Sequence, residues 1–355
     1  MSVSNRFISV RELILGFLLW LAVAFLVAES RWNRLYEKPV LATDEAVDLY
    51  LAEPVNADGL EKALEKQGLL SRREEFRWAL KTLHWSNFRE GHYRFSPQTS
   101  YEELFTRLGR GLQDPIRLTI LPGQTRNRIV RSVSEAFRFD STALKKTLTD
   151  SSFLAEARVD TQNVIGQLYP ATYDFYWTAS PRSVINRLLK TFEENIISQY
   201  EQRFKELDKS VNEIITMASI IEWEATLESE KDTISGLYWN RLEKGMKLQA
   251  DPTINYAVGE RRRLLYEDYK IDHPYNTYVH AGLPPGPITN PSKGSIEAAL
   301  FPESHDYLYM VASPEGNHNF SETYSEHQRK SAEWRRWLEK QYRIKREQER
   351  ESSTN

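Results

Sequence analysis

Two glutamates close the apolar run Ala218-Ser219-Ile220-Ile221-Glu222-Trp223-Glu224, and the segment Gln249-Ala250-Asp251-Pro252-Thr253 follows some way behind. A carboxyl group at the end of an apolar helical stripe is a candidate proton donor. Ile214, Ile215, Ala218, Ile221, Glu222 and Ala225 recur at spacings of three and four. That puts Glu222 on the face of Ile215 and Ala218 rather than on the opposite, solvated one. In low dielectric and without a cation partner, such a carboxyl resists ionisation and holds a proton near neutral pH, as a general acid must. Glu224 stands two positions on, a rotation of roughly 200°, so the two side chains point apart and do not form a catalytic pair. The competing reading of Glu222 is a half-buried glutamate hydrogen-bonded to a neighbouring loop. Asp251-Pro252 reads as an N-cap with proline at the first helical position, a structural role that competes with a catalytic one.

Other chemistries find little support. His318 and His327 lack ligand-like spacing and have no cysteine or third histidine nearby, so no metal is implied. There is no Gly-rich phosphate loop and no Gly-x-Ser-x-Gly elbow, and no cofactor is expected. Ser219 precedes no obvious base and reads as a small packing residue. A net charge of -3 from 47 basic and 50 acidic residues makes nucleic acid a poor partner. The absence of cysteine excludes disulfides, thiolate chemistry and a lipid anchor on cysteine.

The elements that must position these groups begin with an anchor. Leu13 to Ala28 is an uncharged apolar run between Arg6 and Arg11 on one side and Glu29, Arg31 and Arg34 on the other. With Val10 and a snorkelling Arg11 it is long enough to span a bilayer, and residues 10–28 read as a transmembrane signal anchor behind a cytoplasmic tail, residues 1–9. A cleaved signal peptide is the competing reading, but Leu26-Val27-Ala28 is a poor cleavage site. Basic residues flank both ends, so charge does not set the orientation.

The 355 residues, 40% of them hydrophobic, suffice for two or three domains. Leu60, Leu64, Leu69 and Phe76, Leu80, Leu83 predict small packing helices. Gly91–Phe95 predicts a strand, and Thr99-Ser100-Tyr101-Glu102 has capping-box spacing for a helix ending at Gly109 and Gly111. Ile116 to Leu121 predicts a second strand, Pro122-Gly123 a turn, and Thr125 a cap for a helix through Ile129, Val133 and Phe137. The expected class is α+β: a small α+β module at 40–125, a mixed α/β domain at 126–340 and a charged tail at 341–355. Within the second domain, Tyr169–Tyr176 is an aromatic, proline-punctuated edge segment. Val184 to about Lys209 predicts one long charged helix, and Ser229 or Asp232 starts another, stopped by Gly245. A short helix runs from Asp251 to Gly259, another from Asn290-Pro291 to just before Pro302, and Tyr307–Val311 predicts a strand. A charged helix from Thr323 to about Lys345 closes the chain, with frayed residues beyond.

Four segments carry a resemblance: Ala218–Glu224, Asn240–Thr253, Tyr275-Asn276-Thr277-Tyr278 and Gly282-Leu283-Pro284-Pro285-Gly286-Pro287-Ile288. In this order they resemble the endolytic murein transglycosylase, or YceG-like, family, from the anchor to about Leu338. The resemblance implies a single-pass inner-membrane enzyme with its catalytic domain outside the cytoplasm. It would cut nascent peptidoglycan glycan strands, leave 1,6-anhydro-N-acetylmuramic ends and end strand elongation, with peptidoglycan synthases as partners. It also implies a LysM-like module before the catalytic domain. The family's essential glutamate, the first of its Ile-Val-Glu-x-Glu segment, maps onto Glu222. Asn240, Gln249, Asp251, Tyr275 and Asn276, with Glu224, are then the candidates for binding sugar hydroxyls and acetamido groups, against a reading in which they only shape the groove. Two positions depart from the pattern: Pro122-Gly123 stands where Glu-Gly is common, and Ala225 where threonine is usual. Two other readings remain open: a hydrolytic muramidase with Asp251 as second carboxylate, and a non-enzymatic glycan-binding scaffold.

Overall fold

The computed structural model describes residues 9–70 and 72–354. The expected N-terminal tail, apart from Ser9, lies outside them. Val10–Trp32 is one helix, opened by a reciprocal cap between Ser9 and Glu12, and none of its residues is buried. It is a candidate membrane span, its most apolar 18 residues having a mean hydropathy of 2.3. The last turn widens into a π-helix, Asn33–Glu37, which turns Leu35 inward to join a core.

Two compact units follow from the contacts: Met1–Arg117 with Asp174–Ala179, and Leu118–Tyr173 with Ser180–Asn355. In the first, Val47–Leu51 pairs antiparallel with Gly91–Phe95, Leu49 lying opposite Tyr93. Helices Ala57–Lys66 and Arg73–Leu83 connect these strands, and Tyr101–Arg110 follows. Leu49, Leu60, Phe76, Tyr93 and Phe105 fill the core. Val47–Leu51 is a strand that the helical spacings around it concealed; it buries Leu49 and Leu51 and leaves Asp48 and Tyr50 outside. Ser100, not Thr99, caps the helix after Gly91–Phe95, accepting from the Glu103 amide. Thr125 takes the N-cap position of Arg126–Ala136 without a side-chain hydrogen bond.

The chain leaves the first unit along Pro115–Thr119, which pairs with the returning strand Thr172–Tyr176. In the second unit everything gathers on Val211–Glu224, the core helix. Ser210 and Glu213 cap each other at its start. Ile214 to Ile221 are buried without a break, because Lys231–Glu243, Asp251–Val258 and Lys293–Leu300 pack around it. The expected solvated face therefore does not exist along the middle of this helix, and only its last turn reaches an edge. A helix buried on all sides carries no stripe to orient its end.

Three further differences stand out. The long helix expected from Val184 is broken into Pro181–Phe192, a π-turn Glu193–Ile197 and Glu201–Glu206, with Tyr200 in the break donating its hydroxyl to Glu297. The strand near Tyr307 is Tyr309–Ala312, and it pairs with His318–Ser321, which the sequence did not disclose. The final helix runs from Tyr324 to Thr354 rather than fraying after Lys345, its Lys, Arg, Glu and Gln all being good helix formers.

Candidate active site

The last turn of the core helix sends its two glutamates in different directions, as a 200° rotation requires. Glu222 turns toward the start of Lys293–Leu300. Its Oε2 accepts from the Ser292 amide at 3.0 Å, the Ser292 hydroxyl at 2.5 Å and the Ser295 hydroxyl at 2.6 Å. Lys231 Nζ stands 3.7 Å from the same oxygen, and the Glu222 side chain is 12% exposed. Lys231 also donates to Ser292 Oγ at 3.1 Å and pairs with Glu228 at 2.6 Å. A carboxylate at a helix N-terminus, surrounded by donors and a cation, fastens three helices together. This corrects the premise behind Glu222 as proton donor, which required a carboxyl without a cation partner. Its hydrogen bonds run to the neighbouring segment that carries Ser292 and Ser295.

Glu224 faces a cleft of about 300 Å³ whose polar lining includes Arg241, Gln249, Asp251, Tyr278 and His318. Burial pushes its carboxyl up to about 7, and the negative charge of Asp251 pushes the same way, while Arg241 and Arg261 act against them. Asp251 accepts from the Tyr278 hydroxyl at 2.8 Å and from the Tyr269 hydroxyl at 3.3 Å. Both phenols are raised above their usual range, first by burial and then by Asp251. The expected cap is corrected: Asp251 begins its helix but makes no capping bond, the N-cap being Ala250.

The turn that presents Gln249 and Asp251 is held from below. Gln249 sits at φ 50°, a conformation that costs a residue with a side chain roughly 1–2 kcal/mol. Its amide donates to the Thr277 carbonyl at 3.2 Å, and the Ala250 amide to Thr277 Oγ1 at 3.0 Å. Thr253 Oγ1 donates to the Ala250 carbonyl at 2.7 Å and lies 2.9 Å from Thr277 Oγ1.

Of the residues expected to bind substrate, the structure brings Glu224, Gln249 and Asp251 together and leaves three elsewhere. Asn240 braces a loop, donating to the carbonyls of His305 at 2.7 Å and Tyr307 at 3.2 Å. Asn276 is fully buried, donates to the Ile271 carbonyl at 2.8 Å and accepts from the Tyr278 amide at 2.9 Å. Tyr275 packs its ring on Tyr256, 4.4 Å between centroids. Buried amides satisfied by backbone shape the loops that carry their neighbours.

Arg241, Tyr278 and His318 are cleft residues that were not singled out as site residues. Arg241 donates to the Leu308 and Leu248 carbonyls, each at 2.6 Å, tying the hairpin to the helix. Tyr278 ends the Tyr275–Tyr278 segment. His318 was weighed only as a metal ligand; its Nδ1 lies 3.0 Å from Glu230 Oε2, and Glu230 Oε1 accepts its amide at 2.6 Å. Arg241 and Tyr278 adjoin singled-out residues within the quoted segments, which was their signal; His318 had none before its strand was seen.

Behind the site, Trp223 Nε1 donates to the Gly123 carbonyl at 2.9 Å. Gly123 has φ 69°, and a Cβ there would come within 3.3 Å of that nitrogen, so the Pro122-Gly123 turn requires glycine.

The chain has relatives. The endolytic murein transglycosylase of Bacillus subtilis (strain 168) is 30% identical over 315 residues, 82% of this chain and 87% of that protein. That of Streptococcus pneumoniae serotype 2 (strain D39) is 29% identical over 324 residues, 81% of this chain but 58% of that longer protein. A 2.6 Å crystal structure of a yceG-like protein from Listeria monocytogenes superposes with a TM-score of 0.58 at 32% identity, covering 81% of this chain and 99% of that one. The YceG-like family model matches residues 49–333, which include both strands of the Val47–Leu51 pair in large part and every residue of the cleft. The chain that holds Glu224 over Asp251 in this way belongs to the YceG-like family.

Proposed function

We propose that this chain is an endolytic murein transglycosylase whose proton donor is Glu224, in place of Glu222. The observation that carries the reading is a half-buried carboxyl, raised to about 7, in a polar cleft. A group poised near the working pH can both give and take a proton. The names of the B. subtilis and S. pneumoniae relatives support the substrate class.

The chemistry needs one such group. Glu224 protonates the departing glycosidic oxygen, and the bond from the muramoyl anomeric carbon to that oxygen breaks. The resulting carboxylate takes the proton of the muramoyl C6 hydroxyl, whose oxygen closes on the anomeric carbon. The proton returns to Glu224, and a 1,6-anhydro end forms without water. An attacking group on the same sugar supplies effective molarity that free water lacks. Hydrolysis calls instead for two carboxylates about 5–9.5 Å apart, one of them free to act as nucleophile or to activate water. Asp251 is engaged by two tyrosine hydroxyls, which favours its role as the charge that lifts Glu224. Gln249, Arg241 and His318 line the same cleft and are the groups placed to hold sugar hydroxyls and acetamido oxygens.

The membrane helix supports a single-pass inner-membrane protein with both units outside the cytoplasm, where murein lies. Two helices between the paired strands Val47–Leu51 and Gly91–Phe95 support a LysM-like glycan-binding module. Synthases that extend glycan strands are the partners this reading calls for. The test is mass spectrometry of products from uncrosslinked glycan. The lytic reaction yields fragments whose masses sum to that of the substrate; fragments heavier by one water would replace this reading with a muramidase, and intact glycan with a scaffold.

A further inference from the structure

The first unit contains a cavity remote in sequence from the cleft, of about 670 Å³, where the membrane helix ends. Arg34 and Lys38 line it from the π-turn and the residue after it, and Arg72, Arg73, Glu74 and Glu75 from the start of Arg73–Leu83 and the residue before it. Arg72 is paired with Glu75 at 2.9 Å, and Arg73 with Glu61 and Glu65. Arg34 and Lys38 have no ion pair among the described residues. The Arg34 guanidinium lies 4.4 Å from the centre of the Trp78 ring, and its Nε is buried without a hydrogen-bond partner. A buried donor without an acceptor is costly, and a cavity beside it can hold the acceptor.

Depth along the helix identifies what that acceptor is. Residues 13–28 form about 24 Å of uncharged apolar helix, which Val10 and a snorkelling Arg11 extend toward the thickness of a bilayer core, and Arg34 follows about 9 Å further on. Trp32 and Tyr36, stacked at 4.2 Å and exposed, mark the same level as an interfacial aromatic pair. Leu35 is buried in the unit's core, so the cavity is fixed to the helix rather than carried on a tether. Its cations thus stand at the height of the headgroups.

We propose that this cavity binds the phosphate of an anionic phospholipid headgroup, with Arg34 and Lys38 as the cations that hold it. The proposal rests on Val10–Trp32 spanning a membrane. A bound headgroup fixes how the first unit stands on the bilayer, which a single helix alone leaves free.

The full chain, in nanodiscs of phosphatidylcholine with a minor share of phosphatidylglycerol, is released in native mass spectrometry and its retained lipids identified. The wild type retains phosphatidylglycerol over phosphatidylcholine. Lys38→Gln weakens that retention about fivefold and Arg34→Gln with Lys38→Gln about 25-fold, at the usual contribution of a basic residue near a charged membrane surface. Lys81→Gln with Arg110→Gln, an equal charge change outside the cavity, leaves it unchanged. Equal retention of both lipids, or equal loss in the two double variants, overturns the site. Complete displacement by millimolar glycerol 3-phosphate overturns the lipid as its source. Alkaline extraction of native membranes separates the premise: release of the wild-type chain removes the span itself, whereas retention without lipid preference removes only the site.

Discussion

Replacing Glu224 by glutamine removes one proton and changes little else in shape, so its consequences follow from the carboxyl alone. At an ordinary value of 4.5 a glutamate is about 0.3% protonated at pH 7, whereas at about 7 it is half protonated. The cleft therefore multiplies the active form roughly 150-fold, and glutamine, which cannot transfer a proton, forfeits it along with the return step. General acid–base catalysis contributes about 10²–10⁴ per transfer, so we expect kcat/KM for anhydro-muropeptide release to fall at least about 10³-fold, or 4 kcal/mol in barrier height. The wild-type kcat/KM should be flat below pH 7 and decline tenfold per pH unit above it. Wild-type stability should also fall as pH rises. A carboxyl whose folded value is raised contributes stability that is full below about 4.5 and is lost as pH rises through 7, up to about 3 kcal/mol by pH 8 or above. Glu224→Gln escapes that loss, so its thermal midpoint should exceed the wild type's at pH 8.5 and approach it at pH 4.5. Parallel assays of glycan turnover and thermal unfolding across this range decide the matter. A variant that retains parent-level turnover, or one with no pH-dependent gain in midpoint, refutes the assignment of both the acid and its environment.

Four further outcomes follow. Glu222→Gln should lose about 1–3 kcal/mol of stability by removing the charge that accepts from Ser292 and Ser295, yet keep turnover within a few fold below its unfolding temperature; loss of turnover in a folded variant would return the acid to Glu222. Asp251→Asn should move the alkaline limb of the kcat/KM profile to lower pH, since the charge that raises Glu224 is gone. Gly236→Ala should cost about 2 kcal/mol by chemical denaturation, because a Cβ would stand 2.3 Å from the Glu303 carbonyl oxygen. Deleting residues 1–29 should give a protein that stays dispersed and active without detergent, since Leu35 and the cores beyond it are retained; continued dependence on detergent would reveal a second membrane segment.

Much of this protein was legible as local pattern. The apolar run from Leu13 and the glycine stops at Gly111, Gly245 and Gly259 are each set by neighbours a few residues away. Four motif segments in order sufficed to place the chain in its family. Periodicity also showed that Glu222 and Glu224 point apart. It could not say which of them meets a cleft, because Ile214–Ile221 is buried all round and offers no outer face as a reference.

What each of the two glutamates touches is set by the tertiary structure. Ser292 and Ser295, about 70 residues away, hydrogen-bond Glu222, while burial, and after it the charge of Asp251 brought up by a turn tied to Thr277, raises Glu224. The same holds for Asn240 and Asn276, whose amides suit a sugar or a loop equally well until their backbone partners are known. A sequence fixes which groups can carry protons and charge. Which of them keeps a proton depends on the dielectric and the charges within a few ångströms, and those are assembled from distant parts of the chain.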